Sequence, residues 1–283
     1  MKDPQIHIPL DDLGVVRVHG ADTVQFLQGQ LSNDVSRLAP ERSLPAGYHN
    51  PQGRTIAVLR LIWLAAEDIL VVLPRELAPT VAARLAKFVL RAKVKISDQS
   101  SAWRVAGVIG PDAVPAGTIV VARVGTTPPR WLTVSPIDSP QTHVAAGERT
   151  TWHRLDIESG QAQVFRATSE EFVAQMLNLD LLEAISFDKG CYTGQEVIAR
   201  AHYRGKVKRR MQRFVSRAAV ELAPGSAGKL ADGRPFKVVD AVRRDDGRCE
   251  FLAVAPVAHG ERELSESQQV DAEPLPLPYA LPD

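Results

Sequence analysis

The order of hydrophobic patterns between residues 55 and 109 constrains the fold more than any other feature of the chain. Stretches rich in β-formers at 55–64 and 69–73 are separated by little more than Glu67-Asp68. A helical pattern over 74–91 then puts Leu77, Val81, Leu85 and Phe88 on one face. Pro79 falls in its first turn, where a missing N–H is harmless. Strand patterns follow at 93–97 and 104–109. Strand, strand, helix, strand is the order of a small α+β sandwich, with helices on one face of a mainly antiparallel sheet. Just upstream, Asn50-Pro51-Gln52-Gly53 has type I turn chemistry, with Asn first, Pro second and Gly fourth.

The rest of the chain is organised around this segment. A short strand over 15–18 ends at Gly20, and a helix is predicted from Asp22 as N-cap, with Gln25 as capping partner and Phe26, Leu27 and Leu31 on its apolar face. Residues 110–147 are rich in Pro, Gly and Thr and read as the end of this layer and a linker, with a short strand at 118–124. Helices are predicted at 151–159, closed by Gly160, and at 170–179. After Met211 strands alternate with turns at Ala223-Pro224-Gly225, Asp232-Gly233 and Asp245-Asp246-Gly247, the pattern of a small all-β module. The Pro-rich end, 274–282, cannot be an interior strand and reads as an extended tail.

Composition excludes several classes of function. The 283 residues are too many for one small core, so two or three domains are expected. The longest apolar run, 56–66, is eleven residues with Arg60 inside it, against the roughly 20 that a membrane span needs. Met1-Lys2-Asp3-Pro4 lacks the apolar stretch of a signal peptide, and the cytoplasm is the expected location. The two cysteines, Cys191 and Cys249, are too few to hold a zinc or iron–sulfur site unaided. The seven histidines show no ligand spacing, so no metal site is expected. A formal net charge of +1 argues against wholesale nucleic-acid coating. There is no internal repeat, P-loop, G-x-G-x-x-G or G-x-S-x-G motif.

The chemistry concentrates in 186–213. Thr193 and Glu196 form a T-x-x-E capping box, with Tyr192 and Val197 placed as a hydrophobic staple, so a helix is predicted from Thr193. Cys191 then lies just upstream of a helix N-terminus and near Lys189, two influences that favour a thiolate. Gly190 and Gly194 leave room for a partner's backbone. Cys191 is on this reading a surface-accessible reactive thiol; a small buried filler fits the same residues. Downstream, Arg200, Arg204, Lys206, Lys208, Arg209, Arg210 and Arg213 make seven basic residues in fourteen, interleaved with His202 and Tyr203. Such a run suits a phosphate backbone or a polycarboxylate tail, or else forms a solvated face. Arg84, Lys87, Arg91, Lys93 and Lys95 read as an ordinary polar helix face. On the predicted 151–159 helix, Trp152 and Glu158 are expected on nearly the same side, where they could hold a flat heterocycle such as a pterin, although spacing alone favours a core tryptophan.

Lys189-Gly190-Cys191-Tyr192-Thr193-Gly194-Gln195-Glu196, with Ala199-Arg200 and Tyr203-Arg204-Gly205, resembles the signature of the YgfZ family of folate-binding proteins. Supporting similarity runs through Gly20-Ala21-Asp22, Phe26-Leu27-Gln28-Gly29-Gln30, Asn33-Asp34-Val35, Gly53-Arg54 and Leu90-Arg91-Ala92-Lys93-Val94. Glu158-Ser159-Gly160 resembles the E-x-G turn of the glycine-cleavage aminomethyltransferases, to which that family is related in fold. The resemblance implies an α+β, aminomethyltransferase-like folate-binding core over 1–46 and 148–210, an inserted ferredoxin-like domain with linker over 47–147, and a small C-terminal β-barrel with tail over 211–283.

The same resemblance implies a function and its residues. The family's cysteine matches Cys191, with Lys189, Gln195 and Glu196 beside it as candidate functional groups. Its folate-contacting tryptophan matches Trp152, and Leu13 stands where a second tryptophan is found. Glu158, Tyr192 and Arg200 complete the expected folate contacts. A tetrahydrofolate ligand is implied, its polyglutamate tail running toward Arg200, Arg204, Lys206, Lys208, Arg209 and Arg210. The implied role is making or repairing iron–sulfur clusters in client enzymes, including those that thiomethylate tRNA. A folate-dependent one-carbon transferase using Glu158 is the alternative, and an RNA-binding module using 200–213 is a third reading. Segment 74–81 lacks the aspartate of a true aminomethyltransferase, and Asp156 stands where its arginine would be, which disfavours aminomethyl transfer.

Overall fold

The computed structural model describes residues 6–110, 120–139, 147–257 and 269–282. In chain order come β1 (Ile6–Pro9), β2 (Leu13–His19), α1 (Thr23–Gln28), β3 (Ser43–His49), β4 (Thr55–Ala65), β5 (Asp68–Pro74), α2 (Ala78–Ala86), β6 (Lys95–Asp98) and β7 (Trp103–Ile109). They continue as β8 (Val120–Thr126), β9 (Pro129–Pro136), α3 (Arg149–Glu158), α4 (Gln195–Arg204), β10 (Arg209–Ala219), β11 (Ala227–Leu230), β12 (Pro235–Arg243), β13 (Arg248–Pro256), β14 (Gln269–Val270) and β15 (Ala272–Leu275).

Five strands in the order β3-β4-β5-β2-β6 form an antiparallel sheet. Its side chains alternate between two cores. Val16, Leu59, Leu61, Ile69, Val71 and Leu73 face one core, with Leu27 of α1 and Val81 and Leu85 of α2. Val15, Ile62, Leu70 and Val72 face the other, whose far wall is Ile8, Val105, Ala122, Leu132 and Val134. That wall is a second antiparallel sheet, β1-β7-β9-β8. The first sheet is therefore buried on both faces, which explains why 69–73 is apolar at every position instead of every second one.

This corrects the expected layer in two respects. The face opposite the helices is covered by a sheet, and β7 belongs to that sheet, not to the one containing β4 and β5. An inserted ferredoxin-like domain would pair its strands among themselves. Here β4 pairs with β3 and β5 with β2, so strands from 1–46 and from 47–147 share one sheet. The expected linker likewise contributes the β8–β9 hairpin; residues 111–119 and 140–146, with part of the predicted 118–124 strand, lie outside the described residues.

The C-terminal third is all-β, as its turns predict. Its six strands run β14-β11-β12-β13-β10-β15 around Phe214, Phe236, Val238 and Phe251. The two edge strands are separated in the chain by Asp271 alone, so 269–275 draws both edges together and the sheet curls into a nearly closed barrel. Pro274 sits on the β15 edge, where no ladder N–H is missed. The tail beyond then returns to the core, where Tyr279 donates from its hydroxyl to the Gly160 carbonyl.

Three predicted helices differ in detail. The 74–91 pattern forms a 3₁₀ turn and then α2, which ends at Ala86, leaving Phe88 and Leu90 exposed. Over 170–179 only a 3₁₀ turn at Ala174–Leu177 forms, because Glu170 and Phe172 exchange backbone hydrogen bonds with Thr55 at the start of β4. Helix α4 starts at Gln195, not Thr193. No helix among the described residues is long and apolar enough to cross a membrane.

Candidate functional site: a cleft over Trp152 and an outer cysteine loop

A cleft opens where both N-terminal sheets, α3 and the barrel meet, and its lining includes Leu13, Arg60, Trp152, His153, Asp156 and Asp240. Its lining has the chemistry of a site for an organic ligand, mostly apolar with a few convergent polar groups. Trp152 is both a core residue and a cleft wall. Its ring lies so close to β7 that a Cβ at Gly107 would fall 2.3 Å from Trp152 Cε3, so only glycine fits there. The Arg130 guanidinium stands 5.0 Å from the indole centroid, a cation–π contact.

Arg130 is 1% exposed and donates from Nη1 to Asp156 at 2.6 Å and from Nη2 to Ser159 at 3.0 Å. Asp156 is the α3 carboxylate that shares the cleft with Trp152. Four residues is one helical turn, whereas Glu158, six residues on, points elsewhere and lies 3.6 Å from Arg154 and 4.0 Å from Arg213. The expected pairing of Trp152 with Glu158 is corrected accordingly. Burial raises the Asp156 pKa, with Arg130 and Arg60 opposing the shift. Leu13, expected beside Trp152, does line the cleft; Tyr192 and Arg200 do not.

The cysteine signature forms a separate structure. Lys189 is its anchor, since Nζ donates to the carbonyls of Gln28 (2.6 Å), Leu31 (2.6 Å) and Asn33 (3.0 Å) at the end of α1. The same ammonium lies 5.0 Å from the Tyr192 ring centroid. Burial lowers its pKa to about 8, partly offset by Asp34. Tyr192 is buried, which raises its phenol to about 12, and its ring is 6.4 Å from that of His49. Burial holds His49 neutral, with a pKa of about 3.

The predicted capping box does not form. Gly194 occupies the cap position at φ +82°, and a Cβ there would lie 2.6 Å from the Asn50 carbonyl oxygen. A non-helical backbone that only glycine tolerates, wedged against the Asn50–Gly53 turn, overrides the Thr193 signal. Gln195 accepts the Tyr192 N–H through Oε1 at 3.3 Å, and Glu196 and Val197 are exposed, so the staple is also absent. Cys191 itself is free and exposed, which settles the buried-filler alternative against it; Cys249 is buried in the barrel core.

The basic run splits in two. Arg200, Arg204, Lys206, Lys208 and Arg209 are exposed. Arg210 instead turns inward onto Asp180, at 3.0 and 2.9 Å, and Arg213 reaches the buried Glu250 at 2.7 Å; three positions apart on β10, they lie on opposite faces of the strand and each meets a carboxylate there. Arg210 is thus a structural ion pair, not a surface anion contact. None of these residues lines the Trp152 cleft. Exposed Tyr203 stands edge-on to His202, which stacks on Phe187 at 3.7 Å.

Sequence reasoning missed Arg130 and the pair His153–Asp240. Arg130 follows Pro129 in a strand with no motif around it. Only the spacing of Asp156, one turn after Trp152, could have signalled the cluster. Among the described residues no group of three His, Cys, Asp or Glu could hold a metal ion.

No protein-family model matches the chain. An uncharacterized protein of Haemophilus influenzae is 32% identical over 220 residues, covering 77% of this chain and 76% of its own. The tRNA-modifying protein YgfZ of Yersinia pseudotuberculosis is 30% identical over 280 residues, covering 89% of this chain and 84% of its own. Among solved structures, the glycine cleavage system aminomethyltransferase T of Bartonella henselae matches with a TM-score of 0.71 at 15% identity, covering 90% of this chain and 79% of its own. That likeness shows the fold, a mixed α/β aminomethyltransferase architecture, while the identity and coverage of the curated relatives show the lineage. The chain belongs to the YgfZ family of tRNA-modifying proteins.

Proposed function

We propose that this protein binds a reduced folate in the Trp152 cleft and serves as an accessory factor for assembly or repair of iron–sulfur clusters in client enzymes, including those that thiomethylate tRNA. The observation that carries the reading is the separation of two features. One is a cleft with an indole wall and a carboxylate beside it, and the other is an exposed thiol on an outer loop anchored by Lys189. The cleft residues fit a pterin: Trp152 and Leu13 offer apolar surface, and Asp156, Gln161 and Gln163 offer hydrogen-bonding groups for its donors and acceptors. When bound, a reduced folate supplies a carrier or acceptor for a one-carbon unit. A polyglutamate tail would have to leave the cleft to reach Arg200, Arg204, Lys206 or Lys208. With one exposed cysteine, the chain would offer a client's cluster a transient ligand instead of a cage.

One observation favours the alternative of a one-carbon transferase: the cleft lining includes Asp12, Asp156 and Asp240, so acid–base groups are at hand despite the missing aspartate of 74–81. Complementation of a deletion strain, assaying tRNA thiomethylation, separates the readings. The accessory reading expects loss of rescue with Cys191→Ser and with Trp152→Leu. Full rescue by the serine variant would remove the thiol from the mechanism, and loss only in the Trp152 variant would select the transferase.

A further inference from the structure

The cleft holds an ionisable pair that the folate reading leaves unused. His153 follows Trp152 on α3, its side chain is 34% exposed, and its Nε2 lies 2.7 Å from Oδ1 of Asp240. Asp240 comes from the barrel, and its carboxylate is 4% exposed. The register of β12 against β13 shifts between Val238 and Asp240, and Val238, Val239 and Asp240 are buried in succession. A bulge of this kind re-aims a side chain that strict alternation would send elsewhere. Here it delivers a barrel carboxylate into the cleft. Oδ1 also accepts the Ala241 N–H at 2.9 Å, which fixes the carboxylate.

An ionised carboxylate can only accept, so Nε2 donates to it and Nδ1 is left without a hydrogen-bond partner among the described residues. Both residues line the cleft. The charges facing the imidazole are Asp240 on β12, Asp156 on α3 and Asp12 in the β1–β2 turn. Arg149, one turn back on α3, lies 3.8 Å from Asp12. Burial works against the imidazolium, but the hydrogen bond and charge of Asp240, aided by Asp156 and Asp12, outweigh it and raise the His153 pKa.

We propose that His153, positioned by Asp240, contacts the bound folate directly, donating from Nδ1 as an imidazolium to an oxygen acceptor of the ligand. The proposal rests on folate occupying this cleft. It makes the barrel part of the ligand site, since the residue that orients the donor comes from the C-terminal module. An imidazolium donor binds an acceptor better than a neutral ring does, so affinity falls as pH rises through the His153 titration.

The test is calorimetric titration of the full chain with 5-formyltetrahydrofolate across about pH 6 to 8.5, in two buffers of different ionisation enthalpy. The wild type is expected to take up as much as one proton on binding, with Kd rising toward about tenfold per pH unit above the histidine pKa. His153→Gln should still bind, about tenfold more weakly at the acid end, with no proton uptake. Asp240→Asn should move the break to lower pH. A flat wild-type profile, or a His153→Gln variant that keeps the wild-type slope because Asp156 carries the proton, overturns the proposal and leaves folate binding standing. A wild type that binds no 5-formyltetrahydrofolate at any pH overturns the folate reading and this inference together.

Discussion

Replacing Arg130 by methionine tests whether the cleft wall is held electrostatically. The substitution keeps most of the aliphatic volume and removes the guanidinium, which is 1% exposed, from Asp156 (2.6 Å), Ser159 (3.0 Å) and the Trp152 face (5.0 Å). Breaking a fully buried ion pair by removing one partner costs roughly 3–5 kcal/mol, because the other charge is stranded. Asp156 is 34% exposed, so water in the cleft relieves part of that, and about 2–3 kcal/mol is expected. With an unfolding entropy of roughly 2.1 cal/mol/K per residue, a chain of 283 residues should lose about 3–5 °C in Tm.

The pH dependence supplies the sign. The folded-state pKa of Asp156 is raised, so the folded protein binds more protons than the unfolded chain between the two values, and stability is lost as pH rises through that window. Arg130 opposes this shift; removing it widens the window and enlarges the loss at neutral pH. The destabilisation by Arg130→Met should therefore shrink as pH falls toward about 4. Adding Asp156→Asn should recover at least about 1 kcal/mol in urea unfolding at pH 7. Additivity of the two substitutions within about 0.5 kcal/mol, with no pH dependence, would refute the reasoning.

Lys189 carries the opposite sign from a paired lysine. Its folded-state pKa of about 8 lies below the unfolded value of 10.5, so wild-type stability should rise from about pH 8 to 10.5 as the half-buried charge is shed, and Lys189→Met should abolish the rise. Parallel wild-type and variant profiles in urea unfolding would contradict this. Gly194→Ala puts a side chain at φ +82° and 2.6 Å from the Asn50 carbonyl, at a cost of about 2–3 kcal/mol. Hydrogen exchange should speed up in both 50–53 and 191–195, and unchanged protection in the turn would show that the two segments do not brace each other.

Local signals were legible where they were short-range. The Asn50 turn forms as its residues require, with Gly53 N–H donating to the Asn50 carbonyl and Asn50 Oδ1 accepting from Gln52 and Arg54. Trp152 was a legible candidate, and the structure sets it in the cleft wall. The capping box was legible and misleading, because Thr193 competes with a glycine wedge that exists only when 194 meets the turn at 50–53. The 170–179 helix failed for the same reason: its backbone had a better partner in Thr55, more than a hundred residues away. Glu158 was an error of periodicity, since one turn from Trp152 is Asp156.

By itself the sequence determined the antiparallel strands, the all-β C-terminal module and the signature around Cys191. Those follow from patterns of a few residues, because alternation, turn chemistry and composition act locally. Tertiary structure alone decided that the strands of 55–109 divide between two sheets, that Lys189 is an anchor spent on carbonyls at and just beyond the end of α1, and that two of the seven basic residues, Arg210 and Arg213, point inward. It alone gathered Asp156, His153 and Asp240 into one cleft and set Arg130, buried, behind Asp156. The physical reason is that charge is priced by its surroundings. A carboxylate or guanidinium acquires its role from the burial and partners that distant segments provide, and no local pattern records them.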